Sequence, residues 1–355
     1  MDPSKTPALR PPPGVEPNFT NPPSLQPERI AVSSICLAIC IIFVIARTYT
    51  RVRLNTFNLD DCVYLFALAS FIAYIGLLIY VGEIADGRHQ WDVTIANASK
   101  CLKFENITII MYCVTLFPLK YVVLRQIELI FFDHRRNTFT YKAIWTLIWL
   151  TFLFTLSFGI SFIFACVPRK KIWEPDIEGH CINTKSTTVG GCAVNMVIDY
   201  LILIIPLAAV SRLQLSTARK LRAAAVFTVG ILACASSTVR LYYTVKLFQT
   251  EDRTWAFAPV GQWTVAEFTT LFLVACFPYV PRLYQLLSKR DKQIQTDSSR
   301  TRTTNPTQNA SSGVQTVTGW SELEENRGNN EGIMLDQLSN SEGSASTDLV
   351  IMSNV

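Results

Sequence analysis

Long apolar runs, each about the length that crosses a bilayer, dominate the chain from residue 30 to residue 283. A transmembrane helix needs about 20 mostly apolar residues to span a hydrocarbon core of about 30 Å. Seven blocks meet that length: Ile30 to Ala46, Cys62 to Val81, Phe104 to Leu124, Ile144 to Cys166, Thr188 to Ser211, Ala223 to Val245 and Gln262 to Leu283. Apolar and polar positions do not alternate within them, and turn residues do not punctuate them. The pattern therefore predicts an all-α, polytopic membrane protein built as a bundle of seven transmembrane helices.

The same pattern divides the chain. Residues 1–29 are Pro-rich and polar and read as a short extracellular N-terminal tail; lacking a short basic leader, they set the first block apart from a cleaved signal sequence. Residues 30–288 form the seven-helix domain. Residues 289–355 are rich in Ser, Thr, Asn, Gly and Gln and are expected to be a disordered cytoplasmic tail, open to tuning by phosphorylation. No internal repeat is visible.

Composition agrees. Of 355 residues 50% are hydrophobic and 17% charged, where a soluble domain carries roughly 25% charged residues. The net charge of +5 is spread along the chain, and no basic stripe interleaved with aromatics points to nucleic acid.

Basic loops stay cytoplasmic. With the N-terminus outside, the inner segments hold Arg47, Arg51 and Arg53, then Arg125, Arg135, Arg136 and Lys142, then Arg212, Arg219, Lys220 and Arg222, then the basic start of the tail, and together these outnumber the Lys and Arg of the other side. The plasma membrane is the default location for that topology. Two sequons, Asn18-Phe-Thr20 and Asn97-Ala-Ser99, fall on the outer side and make Asn18 and Asn97 candidate glycosylation sites, with ordinary polar loops as the alternative. Most of the ten cysteines lie in helices as small apolar residues. Cys166 and Cys181, in the second outer loop, are the favoured disulfide, with Cys101 to Cys181 as the rival.

Four ionisable residues fall within or close to apolar blocks: Lys120, Asp199, Arg240 and Glu267. Such residues face a partner, water or a ligand. Arg240 and Glu267, each about five residues from the outer end of its block, are expected to pair roughly 7 to 8 Å below the surface. Asn195 lies one turn from Asp199 on the same helix face. Asn195, Asp199, Arg240 and Glu267 are thus candidate walls of an outward-opening cavity for a polar ligand; the competing reading is polar glue between helices. Lys120, level with Asp60 and Asp61, suggests a cytoplasmic latch that includes Arg125, or a static anchor. Pro118, Pro206, Pro278 and Pro281 mark possible bends.

The last block has no lysine for an opsin-type Schiff base, and the three histidines do not cluster with paired cysteines for zinc. Neither a P-loop, a Gly-x-Ser-x-Gly elbow nor a His-Glu-x-x-His is present. The reading therefore assigns no catalytic residue, metal or cofactor, and the chain is not expected to be an enzyme.

Several residues together carry a resemblance. They are Leu59-Asp60-Asp61 after an Arg-rich turn, Gly87-Arg88-His89, Lys120 with Leu124-Arg125, Cys166-Val-Pro168, Trp173 and Gly179-His180-Cys181. Farther along come Asn195, Asp199, Pro206, Leu213-Gln214-Leu215, Phe227, Gly230, Val239-Arg240, Glu267, Cys276 and Pro278. In order and spacing the chain resembles, over about residues 30 to 288, the fungal rhodopsin-domain integral membrane proteins, a seven-helix family that includes receptors proposed to couple to G proteins. The resemblance implies a receptor-like protein that senses an extracellular small molecule or surface cue. Departures are Ala85-Asp86-Gly87, where a second Gly is common, and the lack of a Cys-rich segment ahead of the first block. The animal receptor signatures are also missing: the third block ends in Leu124-Arg125-Gln126, and Phe277-Pro278-Tyr279 lacks a preceding Asn. Coupling to a G protein, through inner loops holding Arg135, Arg136, Arg219, Lys220 and Arg222, rests on architecture alone; attraction to anionic lipid is the plainer role of those residues. A transporter or channel using the Asp199, Arg240 and Glu267 cluster is the alternative.

Overall fold

A computed structural model describes residues 2, 4–131, 139–174, 176–211, 217–286 and 288, with the backbone alone described at 130, 131, 139, 140, 206, 208–211 and 217–226. Seven long helices follow in order: α1 (Gln26–Arg53), α2 (Leu59–Ile84), α3 (Ile95–Phe131), α4 (Phe139–Ile163), α5 (Thr184–Ser211), α6 (Thr217–Leu247) and α7 (Arg253–Cys276). Six helical spans, Gln26–Arg53, Leu59–Ile84, Ile95–Leu129, Tyr141–Ile163, Thr184–Ile205 and Arg253–Leu286, are long and apolar enough to cross a membrane by length and composition. The seventh helix, α6, differs in carrying Ser236, Ser237, Thr238 and Arg240 along its length.

Neighbours in sequence pack side by side, α7 closes back on α1, and α3 runs through the bundle in contact with α2, α4, α5 and α7. Short connections dictate this up-and-down order. The core is aromatic: Phe71 meets Phe268 and Phe272 at ring distances of 5.7 and 5.5 Å, while Tyr64 stands edge-on to Phe272 at 5.3 Å. Each helix turns its other face outward. On α1, Ile35, Ile42 and Ile45 are exposed while Cys40, Val44 and Arg47 are buried, a stripe spaced for one helix face against the bundle and the other against lipid.

One end of the bundle, here called the disulfide face, is covered. Two short strands, β1 (Cys166–Val167) and β2 (His180–Cys181), pair antiparallel with Cys166 opposite Cys181, and these two cysteines form a disulfide. Cys101, the rival partner, is buried and lies 3.2 Å from Glu105 Oε1. The N-terminal segment lies along the α2–α3 connection: the Ala8 N–H donates to Val93 O, the Ile95 N–H to Thr6 O and the Leu25 N–H to Gly87 O. Gly87 has φ +81°, with Arg29 and Leu25 close to where a Cβ would stand, so a side chain would be strained there.

Three expectations about helix ends need correction. First, α1 continues to Arg53, so Arg47 and Arg51 are buried helical residues and not loop cations. Second, α4 stops at Ile163 and the Cys166 end of the fourth block becomes strand. Third, α7 begins at Arg253, not near Gln262, since Trp255, Phe257 and Val260 extend the apolar pattern after Asp252 at the N-cap. Past Cys276 that helix tightens into a 3-10 turn, Phe277–Tyr279, at Pro278, whose missing N–H breaks the helical ladder. Arg135, Arg136, Leu213-Gln214-Leu215 and the 289–355 tail lie outside the described residues, and of Arg219, Lys220 and Arg222 only the backbone is described.

Candidate functional site

The bundle's centre holds charge. Lys120 on α3 places Nζ 2.9 Å from Asp199 Oδ1 and donates to Asn195 Oδ1 at 2.6 Å, both on α5. The Asn195 amide then donates to Asp199 Oδ2 at 3.1 Å and to Glu267 Oε1 of α7 at 2.9 Å. Glu267 Oε2 stands 2.9 Å from Arg240 Nε of α6. Lys120, Asn195 and Glu267 are fully buried, and Asp199 and Arg240 nearly so.

Asn195 is the hinge of the arrangement. Its carbonyl oxygen faces the ammonium and its amide faces two carboxylates, which uses the donor and acceptor ends of one side chain in the only orientation that suits all three neighbours. Two cations and two anions then balance, as buried charges must. The Arg240 guanidinium also lies over the Tyr112 ring at 4.9 Å.

Depth differs from expectation. Because α7 starts at Arg253, Glu267 lies roughly 20 Å along the helix from that end at about 1.5 Å per residue. The expected outward cavity lined by all four residues is also corrected. A cavity of about 60 Å³ on the disulfide-face side is bordered by Arg240, and a second of about 30 Å³ on the other side is bordered by Asp199; Asn195 and Glu267 border neither. The charged residues are a plug between two small cavities.

The latch expectation changes as well. Lys120 turns to Asp199 and away from Asp60 and Asp61, because it sits on the face of α3 that meets α5. Asp60 instead accepts from Tyr121 Oη at 3.1 Å and stands 3.7 Å from Arg125, which also pairs with Glu128. Asp61 takes Arg47 at 3.1 Å and Arg51 at 3.4 Å. Arg47 further donates to Ala275 O at 2.7 Å, and its guanidinium lies over the Tyr64 and Tyr279 rings at 4.5 and 4.8 Å. This cluster ties α1, α2 and α7 together on the side opposite the disulfide.

Residues to which the sequence reading gave no role hold the disulfide face. Arg29 and Asp86 form a fully buried ion pair, and burial pushes the Asp86 carboxyl up against the pull of the guanidinium. His89 is stacked between Trp91 and Trp255 at 4.4 and 4.1 Å, with Nδ1 2.6 Å from Asp252 Oδ2. His89 and Asp86 were marked in the sequence within Gly87-Arg88-His89 and Ala85-Asp86-Gly87, but without a role, because the partners of His89 at the start of α7 are far away in sequence. Asn18 is exposed and its amide donates to Asn21 O at 2.9 Å, while Asn97 is half-buried in the first turn of α3.

Among the described residues no group of three or more His, Cys, Asp and Glu is placed to hold a metal ion.

Comparison with known proteins gives one family and several relatives. Residues 46–286 match the family described as fungal rhodopsin domain. A SAT4 family membrane protein of Emericella nidulans is 33% identical over 213 residues, which are 60% of this chain and 54% of that protein, so the chain spans about half the length of that relative. Fugralins biosynthesis cluster protein 2 of Gibberella zeae is 27% identical over 288 residues, 78% of this chain and 70% of that one. Wortmanamides biosynthesis cluster protein C of Talaromyces wortmannii is 25% identical over 128 residues, covering 36% of this chain and 34% of its own.

Proposed function

The chain belongs to the fungal rhodopsin domain family, and from that membership we propose that it is a multi-pass, receptor-like membrane protein that senses an extracellular small-molecule or surface cue and signals to a cytosolic partner such as a G protein. The observation that carries this reading is the central plug. Five buried residues on α3, α5, α6 and α7 exchange hydrogen bonds and ion pairs, and a change on the cavity side of Arg240 alters what Glu267, Asn195, Asp199 and Lys120 can do in turn. Packed interiors switch between discrete arrangements and do not deform continuously. A small-molecule cue is also supported by two relatives named for biosynthesis clusters. The reading places the N-terminus and the disulfide face outside, at the plasma membrane, with glycans on Asn18 or Asn97, and gives the chain no catalytic step.

The test is recovery of cytosolic partners from gently solubilised membranes. A G-protein subunit that co-purifies with the intact chain and is lost when Arg219, Lys220 and Arg222 are neutralised supports the reading. Loss of no ligand-dependent response in Asp199→Asn, Arg240→Gln and Glu267→Gln would sink it. One observation favours a second reading, transport: the plug separates a cavity bordered by Arg240 from one bordered by Asp199. Flux in proteoliposomes separates the two, since a receptor carries none.

A further inference from the structure

The cavity on the disulfide-face side of the plug has unusual walls. Tyr112, Phe158, Phe257 and Val260 make most of it apolar, yet two residues of its lining carry buried polar atoms with no hydrogen-bond partner among the described residues: Arg240, at Nη2 and at the Nε that faces Glu267, and Thr188, at Oγ1. Arg240 is 3% exposed. A buried donor left unmade costs free energy, so such atoms call for an occupant. Its volume is about 60 Å³, whereas an engineered cavity of about 150 Å³ holds benzene. Only the end of a ligand, a few heavy atoms, enters.

Charge sets the chemistry of that end. Arg240 can only donate, so the ligand must present an acceptor. A carboxylate would satisfy Arg240, but the cations Lys120 and Arg240 are already matched by Asp199 and Glu267 within the same network. An added anion would be a third negative charge beside two positive ones in a buried site, and an unpaired buried charge is the costlier state. A neutral oxygen avoids that cost, and the Thr188 hydroxyl can donate to it as well.

We propose that this cavity binds the carbonyl-bearing end of a neutral, mainly apolar small molecule (a ketone, ester or lactone), with Arg240 and Thr188 as the recognition groups. The inference rests on the receptor reading for its purpose but not for its binding chemistry. The test uses the full chain in lipid nanodiscs and saturation-transfer NMR with 2-butanone and propionate, probes of equal heavy-atom count, with empty nanodiscs as background. Expected is saturable transfer to 2-butanone and none to propionate. The 2-butanone signal is lost in Val260→Phe, which fills the cavity, and falls several-fold in Thr188→Val, which keeps the volume and removes the hydroxyl. Transfer to propionate equal to or above that of 2-butanone would overturn the inference by making this an anion site, and 2-butanone transfer that Thr188→Val leaves unchanged would overturn it as mere partition into lipid or cavity. Ketone binding without any change in partner recovery would count against the receptor reading alone. Partner recovery without ketone binding would count against the ligand class alone.

Discussion

Two buried ionic clusters, the Arg47–Asp61 cluster and the central plug, solve the same problem in different ways. Arg47 gives Nε and Nη2 to Asp61, Nη1 to a backbone carbonyl of α7, and its guanidinium lies over two tyrosine rings. In the plug, Arg240 faces Glu267 through Nε without hydrogen-bond alignment and leaves Nη2 without a partner, beside a cavity. The first is a clamp, complete at Arg47 though not at the Nε of Arg51, that joins α1 and α2 to the end of α7. The second is an incomplete network among α3, α5, α6 and α7, and incompleteness is what allows an occupant to matter. Polar groups that are fully satisfied rigidify a core, while partly satisfied ones leave room for a second arrangement.

Breaking the clamp should have the largest effect. Arg47→Met strips Asp61 of its main partner and frees Ala275 O, and removing one member of a buried pair costs about 3–5 kcal/mol. A large fall in thermal unfolding temperature in nanodiscs, with loss of folded protein in the membrane, is expected. Retention of wild-type stability would show that Arg51, 3.4 Å from Asp61, carries the clamp by itself.

The plug should respond differently to paired substitution. Lys120→Met leaves Asp199 without its cation and is expected to cost roughly 2.5–3.5 kcal/mol, the range for a charge at a helix centre in insertion measurements. Adding Asp199→Leu removes that charge, and stability should return in most part, because apolar residues often replace a buried pair at little cost. On the proposed receptor reading, the double variant regains stability without regaining a ligand-dependent response. A double variant with an intact ligand-dependent response would reduce the plug to packing and end the contrast with the clamp.

How much of this was legible in the chain follows from what each signal depends on. Seven apolar runs fixed the number and order of helices, since hydrocarbon thickness sets their length, and Lys120, Asn195, Asp199, Arg240 and Glu267 announced themselves as polar residues amid apolar ones. Pairing was only partly legible: Arg240 with Glu267 was expected from their matched distances to the outer ends of their blocks, but Lys120 with Asp199 depends on how α3 is rotated against α5, which no local pattern states. The depth of Glu267 was misjudged because Arg253 and Gln262 hide the apolar face that starts α7 at residue 253. The clamp escaped for a related reason: arginines at a helix end look like loop cations that set orientation, and only the packing of Tyr64 and Tyr279 around Arg47 tells otherwise.

Asn195→Leu tests the joint within the plug. It removes an acceptor from Lys120 and donors from Asp199 and Glu267 at once, while both ion pairs remain. Unsatisfied buried groups cost about 1–3 kcal/mol, so a moderate loss of stability is expected, smaller than for Arg47→Met. The informative readout is coupling: hydrogen exchange in α3 and α7 is expected to respond together to a perturbation of either helix in the intact chain and independently in the variant. Unaltered exchange in both helices would mean that the ion pairs alone carry the connection.

The smallest effect should come from Tyr279→Phe, which separates the two ways in which the clamp holds Arg47. The substitution keeps the ring over Arg47 and Arg51, at 4.8 and 5.0 Å, and deletes only the hydroxyl that donates to Gln126 Oε1 of α3 at 3.0 Å. A single neutral hydrogen bond contributes about 0.5–1.5 kcal/mol, and the cation–ring contacts survive, so thermal unfolding should shift only slightly. Tyr279→Leu removes the ring as well and should lose more, by about 0.5–2 kcal/mol for each cation–ring contact forfeited. Equal losses in the two variants would place the contribution of Tyr279 in its reach to α3. The 3-10 turn at Pro278 would then be a tether between α7 and α3, and the clamp on α1 would owe its strength to Asp61, Ala275 and the Tyr64 ring.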